Sequence, residues 1–323
     1  MTTDQNCPPR LGLGTSPLGN LYTAVTDDEA RAVIDAAWDA GVRTFDTAPH
    51  YGLGLAEQRL GAALADRPRS EYVLSTKVGR LLVPDPEGAG RLDDDGFVVP
   101  AAHRRVWDFS ADGVRRCLES SLERLGLDRV DVVYVHDPDG HGDQAITEAV
   151  PALVELREQG VIGAVGVGMN QWQLPARFVR ESDVDVVMLA GRYTLLEQSA
   201  LAEFLPLCSE RGIHVIIAGM FNSGLLARHD VPDDATHDYR AASADLIARA
   251  RRIAEVCARH GTTLPAAALW FPFGHPAVTG AVVGARAEAE IRANVAALTK
   301  PLPAELWADL RDEGLLAADA PTP

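Results

Sequence analysis

Phe45-Asp46-Thr47-Ala48-Pro49-His50-Tyr51-Gly52 is the stretch on which the reading of this chain turns. An apolar-leaning run, Val42 to Phe45, ends there in a carboxylate. A short turn and a tyrosine follow, and then the helix-forming Glu57-Gln58-Arg59-Leu60-Gly61. Charged and phenolic groups at the carboxyl end of a strand, with a helix behind them, stand where α/β folds place active sites. An isolated Asp–x4–Tyr pair is more simply a strand end with an exposed polar turn, so the rest of the chain has to decide.

Working outward, strand and helix signals alternate. Upstream, Leu11–Gly14 reads as a first strand. A helix capped by Thr26 or Asp27 follows, with Ala30, Val33, Ile34, Ala37 and Trp38 as its buried stripe and Gly41 as its stop. Downstream, Val/Ile-rich runs recur at Tyr72–Lys77, Val130–His136, Ile162–Gly168, Val184–Leu189, Ile213–Ala218 and Val278–Val283, each followed by a helical pattern. Eight such units in a chain of 323 residues predict an α/β fold of the (β/α)8 TIM-barrel type, a single domain with its active site at the carboxyl rim. A doubly wound open sheet is the alternative. The barrel is expected over residues 10–315, with 1–9 a flexible leader and 316–323 a flexible tail. Two connections, residues 78–109 and 219–241, are too long for plain turns and are expected to be lids or disordered, at least one of them covering substrate.

Composition narrows the class. The chain is 47% hydrophobic and 24% charged, as a globular protein with ample core should be. No apolar run approaches the ~18 residues of a membrane span, and the start of the chain lacks a secretion pattern. Cys7, Cys117, Cys208 and Cys257 lie far apart without CxxC spacing, which argues against disulfides or a cysteine zinc site and for a cytoplasmic location. A net charge of −16 argues against nucleic-acid or anionic-membrane partners. The expected partner is a small-molecule substrate, and the expected state a monomer or small homo-oligomer. No metal is expected. His136-Asp137-Pro138-Asp139-Gly140-His141-Gly142-Asp143 lacks metal-ligand spacing and reads as a polar loop. Asp93-Asp94-Asp95-Gly96 is too short for a calcium loop.

Two further strands end in ionisable groups, Lys77 and His136. In a barrel these ends are neighbours, so Asp46, Tyr51, Lys77 and His136 are expected to face one cavity. A buried lysine needs a partner, which Asp46 supplies. An ammonium beside a phenol favours phenolate, so Lys77 is expected to lower the pKa of Tyr51. A buried Asp–Lys pair with bystanders would account for two of the four residues only.

These residues, Phe45-Asp46-Thr47-Ala48-x-x-Tyr51-Gly52, Ser75-Thr76-Lys77 and Val135-His136, resemble the Asp–Tyr–Lys–His tetrad of the aldo-keto reductase superfamily. Leu11-Gly12-Leu13-Gly14, Ile162–Val167, Ser223-Gly224-Leu225-Leu226 and Gly284-Ala285-Arg286…Asn294 extend the similarity along nearly the whole chain. The resemblance implies an NAD- or NADP-dependent oxidoreductase without a metal. In it Tyr51 would be the general acid or base, Lys77 would tune it, Asp46 would hold Lys77, and His136 would orient the substrate oxygen. Cofactor contacts are expected from Asn170, Gly219, Phe221, Ser223, Gly224, Leu225, Gly284, Arg286, Glu290 and Asn294.

Three positions depart from the family pattern. Met169, Ala190 and Ala218 stand where a serine, a glutamine and a stacking aromatic are usual; either Arg192 and Phe221 substitute or the nicotinamide is held less tightly. Leu189–Gln198 and Ala218–Gly224 resemble the aldose 1-dehydrogenase branch, which includes L-fucose and D-threo-aldose dehydrogenases, with pyridoxal 4-dehydrogenase nearby. That branch oxidises the anomeric hydroxyl of a cyclic hemiacetal to a lactone. In the last loop Glu290 favours NAD and Arg286 favours NADP; NAD is the preferred reading. The alternatives are a general NADPH-dependent aldehyde or ketone reductase, a metal-assisted hydrolase on the same barrel, and a cofactor-binding interaction subunit.

Overall fold

The computed structural model describes residues 11–238 and 240–323; the expected leader, residues 1–9, lies outside them. Eight parallel strands close into a barrel in sequential order: β1 Leu11–Gly14, β2 Thr44–Asp46, β3 Val73–Val78, β4 Val130–His136, β5 Ile162–Met169, β6 Val186–Ala190, β7 His214–Ala218 and β8 Val278–Gly284. β8 pairs with β1 to complete the ring, Leu11 opposite Ala281 and Gly14 opposite Gly284.

The helices around it are α1 Asp27–Asp39, α2 Leu55–Leu64, α3 Ala111–Leu125, α4 Val150–Glu158, α5 Gln173–Glu181, α6 Phe204–Arg211, α7 Ala244–Arg259, α8 Leu264–Trp270, α9 Glu288–Ala297 and α10 Ala304–Asp312. Helix α1 starts as expected: Thr26 and Glu29 exchange side-chain and backbone bonds in a capping box. Sequence reading missed α8, a short apolar helix with little polar contrast between its faces. No helix among the described residues is long and apolar enough to cross a membrane.

Period-two alternation along the strands separates two apolar regions. Outward residues such as Phe45, Leu74, Val133 and Val135 join the large core between strands and helices. Inward residues Tyr134, Val186, Met188 and Val282 form a smaller layer inside the barrel. A Cβ on Gly166 would sit 2.6 Å from the Tyr134 ring, so this glycine makes room for the phenol.

The described residues of both long connections form regular structure. Residues 78–109 contain an antiparallel hairpin, Arg80–Pro84 with His103–Trp107, and its tip is stitched to the loop after β1. Tyr22 N donates to Gly96 O at 2.8 Å and Val98 N to Asn20 O at 2.9 Å. Residues 219–241 include a smaller hairpin, Thr236–His237 with Arg240–Ala241.

The expected flexible tail is also held. Leu316 and Ala320 are buried, and Arg311 Nη2 donates to Ala320 O at 2.8 Å and to Thr322 Oγ1 at 2.9 Å. Its apolar side chains gain cover and its carbonyls gain a partner, which a short, low-contrast sequence did not reveal.

Outside the barrel, Thr76 alternates with its inward neighbours and donates to the fully buried Glu57 of α2 at 2.7 Å. Arg124 of α3 meets the other Glu57 oxygen at 2.7 Å. Removing one partner of such a pair strands a charge away from water. Arg124→Met is therefore expected to cost about 3 kcal/mol or more. Thermal denaturation would show it, and Arg124→Met combined with Glu57→Gln should regain much of the loss. A double variant no more stable than the single one would contradict this account.

Candidate active site

Inward-facing strand ends build the site. Asp46 closes β2, and Ser75 and Lys77 lie on β3 with Asp46 opposite Ser75 in register. Lys77 Nζ donates to Asp46 Oδ2 at 2.6 Å and to Thr47 O at 2.9 Å. Ser75 Oγ donates to Asp46 Oδ1 at 2.7 Å. Asp46 and Lys77 are 3% and 2% exposed, so the pair is shut off from water.

Tyr51 stands above this pair, its ring centroid 4.7 Å from Lys77 Nζ. The loop that carries it is fixed by close backbone packing. Gly52 has φ +63°, and a Cβ there would lie 2.3 Å from Gly19 O, so the turn holding Tyr51 seats directly on the segment after β1. His136, at the end of β4, is buried. The rings of Tyr51, His136 and His50 lie mutually about 6 Å apart, with centroid distances of 6.0, 5.7 and 6.0 Å. The four expected residues thus meet in one place, and His50 joins them.

The electrostatics depart from the expectation for Tyr51. Burial raises its pKa, and although the charge of Lys77 works in the opposite direction, the net shift is upward. Burial also penalises the Lys77 ammonium, but Asp46 and Tyr51 outweigh it and hold the lysine above its ordinary value. Both histidines stay neutral. Burial, with the charges of Arg80 and Lys77, takes His136 well below its ordinary value. Burial, then Arg80 and Arg105, takes His50 down to about 2.

These groups line a cavity of about 450 Å³ at the carboxyl rim. One wall comes from the 78–109 connection, through Arg80, Asp95 and Phe97. Arg80 Nη2 donates to Asp137, whose Oδ2 lies 3.5 Å from His136 Nε2. Sequence reading missed His50, Arg80, Asp95, Phe97 and Asp137 as cavity residues. The signals were the positions of His50 and Asp137 beside expected site residues and, for Arg80, Asp95 and Phe97, their place in a connection expected to cover substrate.

Of the expected cofactor residues, Asn170, Gly219 and Gly284 line the cavity. Phe221, Ser223, Gly224, Leu225, Arg286, Glu290 and Asn294 do not. Phe221 is half-buried against the core and Leu225 is wholly buried. Arg192 is also directed elsewhere, into a two-pronged pair with Asp238 at 3.1 and 2.9 Å. Neither Arg192 nor Phe221 lines the cavity. Instead Met188, Ala190 and Ala218 leave a shallow floor of small or flexible side chains, with the backbone of Gly14, Gly219 and Gly284 at its edges. The Asn170 amide is exposed beside it. A flat ring carrying a carboxamide fits this donor set and floor. In the last loop, Arg286 N donates to Glu290 Oε2 at 2.7 Å, and the Arg286 guanidinium leans toward Leu21 O at 3.4 Å.

The aldo/keto reductase family model matches residues 10–313. A D-threo-aldose 1-dehydrogenase from a Pseudomonas species is 48% identical, with 98% of this chain and 95% of that protein covered. A pyridoxal 4-dehydrogenase from Microbacterium luteolum is 42% identical, with 95% and 94% covered. Among solved structures, a glycerol dehydrogenase from Gluconobacter oxydans superimposes with a TM-score of 0.78 at 25% identity, covering 98% of this chain and 94% of that one. Barrel, rim cavity and relatives agree, and the chain belongs to the aldo/keto reductase family, as an NAD(P)-dependent oxidoreductase.

Proposed function

We propose that this enzyme oxidises the anomeric hydroxyl of a cyclic hemiacetal, an aldose or pyridoxal, to a lactone. The observation that carries the reading is Tyr51 poised over a buried, fully paired Lys77 in a rim cavity. The two dehydrogenase relatives support the substrate class. NAD(P), when bound, supplies the hydride acceptor. Asn170 would hold its carboxamide, and Gly219 and Gly284 would bring backbone against it. Tyr51 takes the proton of the anomeric hydroxyl as the hydrogen on the same carbon departs as hydride. The carbon–oxygen bond becomes the lactone carbonyl. Lys77 favours the phenolate, Asp46 keeps Lys77 charged and in place, and neutral His136 orients the reacting oxygen.

Mixing the protein with NAD or NADP and L-fucose, D-arabinose or pyridoxal should generate absorbance at 340 nm. Tyr51→Phe should lower that rate by about 10²–10⁴, with the fold intact by circular dichroism. Reduction of aldehydes without any hemiacetal oxidation would instead favour a general reductase.

The pH profile has a definite sign. A phenol whose pKa is raised supplies little base at neutrality, so oxidation should accelerate as pH rises through the alkaline range. Lys77→Met removes the opposing charge and should move that limb to still higher pH. His50 and His136 are both depressed, so neither should impose an acidic limb near pH 6.5. An inflection there would contradict the neutral-histidine assignment.

For the cofactor we favour NAD. The Glu290 carboxylate, which accepts from Arg286 N in the last loop, would disfavour a 2′-phosphate there. Glu290→Gln should raise kcat/KM for NADP relative to NAD several-fold, and Arg286→Ala should lower it. A wild type that prefers NADP would reverse the assignment.

A further inference from the structure

His50 is the one ring of the three at the cavity for which the tetrad has no use. It lines the cavity with Tyr51 and His136. Its Nδ1 is shielded from solvent and has no hydrogen-bond partner among the described residues. That nitrogen faces Asp95 Oδ2 at 4.0 Å, too long for a hydrogen bond but close enough for the carboxylate to set the tautomer. A proton on Nδ1 points at a negative charge favourably, whereas a lone pair there would be repelled. The proton therefore belongs on Nδ1, and Nε2, the nitrogen left to the cavity, presents a lone pair.

The surroundings hold this arrangement firmly. Arg105 pairs with Asp93 at 2.6 Å and Asp95 at 2.9 Å, and donates to His50 O at 2.9 Å. Phe97, almost fully buried, packs edge-on against His50 at 5.2 Å between ring centroids. The imidazole thus has Phe97 against its ring and Asp95 facing Nδ1, while Arg105 holds its backbone.

An acceptor fixed about 6 Å, ring to ring, from both Tyr51 and His136 is placed to meet a second oxygen of the molecule whose first oxygen they hold. In a cyclic aldose that second oxygen is the hydroxyl on the carbon next to the anomeric one. We infer that His50, oriented by Asp95, is a substrate-binding residue that accepts a hydrogen bond from the C2 hydroxyl of an aldose, so that the cavity selects polyhydroxylated hemiacetals. This rests on the hemiacetal reading above and narrows it to sugars.

The test compares D-arabinose with 2-deoxy-D-ribose, its counterpart lacking that hydroxyl, in the wild type, His50→Leu, His50→Gln and Asp95→Asn. The wild type should favour D-arabinose by roughly tenfold or more in kcat/KM, the scale of one well-made hydrogen bond. His50→Leu should lose about that factor for D-arabinose while changing 2-deoxy-D-ribose by less than about threefold. His50→Gln, which keeps an acceptor, should restore part of the preference. Asp95→Asn should lose less than His50→Leu and mainly in KM. Equal losses for both sugars, or a wild type indifferent to the C2 hydroxyl, would overturn the inference while leaving hemiacetal oxidation standing. A wild type that oxidises pyridoxal but no sugar would overturn the inference alone, and one that oxidises neither would overturn both.

Discussion

Asp46 and Lys77 meet inside the barrel with almost no access to water, and most of the site follows from what that pair requires. Taking two charges out of water costs several kcal/mol per ion unless nearly every donor and acceptor is satisfied. Here Lys77 serves both the carboxylate and Thr47 O, and the second carboxylate oxygen is taken by Ser75. That solution exists only when β2 and β3 run parallel with Asp46 opposite Ser75. A slip of one residue would turn Lys77 outward and Thr76 inward, breaking this pair and the Thr76–Glu57 bond together. The polar rim therefore reports on register as stringently as the apolar layer beneath it.

That apolar layer explains why the pair sits at the rim and not deeper. Tyr134, Val186, Met188 and Val282 fill the barrel interior, and Gly166 is small because the Tyr134 ring lies against it. With the interior filled, ionisable side chains at strand ends reach the rim cavity. Tyr51 is drawn into the same space by the loop that Gly52 and Gly19 press together. Its burial has a consequence that charge arguments alone miss. Removal from water raises the phenol, and Lys77, which favours the phenolate, does not outweigh it.

Much of this was legible in the sequence. Val/Ile-rich runs alternating with helical stripes identify the barrel because both faces of parallel strands are buried, and residues ending three adjacent strands must share a rim. Such arguments depend on local period and are insensitive to side-chain detail. What escaped them depends on long-range partners. The hairpin Arg80–Pro84 with His103–Trp107 lies in a segment rich in proline, glycine and aspartate, and its order comes from bonds to Asn20 and Tyr22 far away in the chain. Phe221 is a nearby aromatic that could stand in for the ring missing at Ala218, but it packs half-buried against the core. The tail looked loose because Arg311, which caps it, belongs to the preceding helix.

The two sides of the cavity divide accordingly between barrel and insertion. The floor is made by β6, β7 and β8, whose ends have been reduced to Ala190, Ala218 and Gly284, so it gives shape and little chemistry beyond Asn170. Another wall draws on the connection after β3 and is dense in charge: Arg80 pairs with Asp137 beyond β4, and Asp95 pairs with Arg105, which Asp93 also holds behind the lining. The acidic run, too short for a calcium loop, holds Arg105, which in turn donates to the backbone of His50. Charges committed to each other in this way cost little when a neutral, hydroxyl-rich ligand enters, because none has to give up its partner. The same wall would be a poor host for a large apolar aldehyde, which would cover those groups without satisfying them. Floor and wall thus set separate demands: a flat ring can lie on small side chains, whereas whatever lies against the wall must bring its own hydrogen bonds.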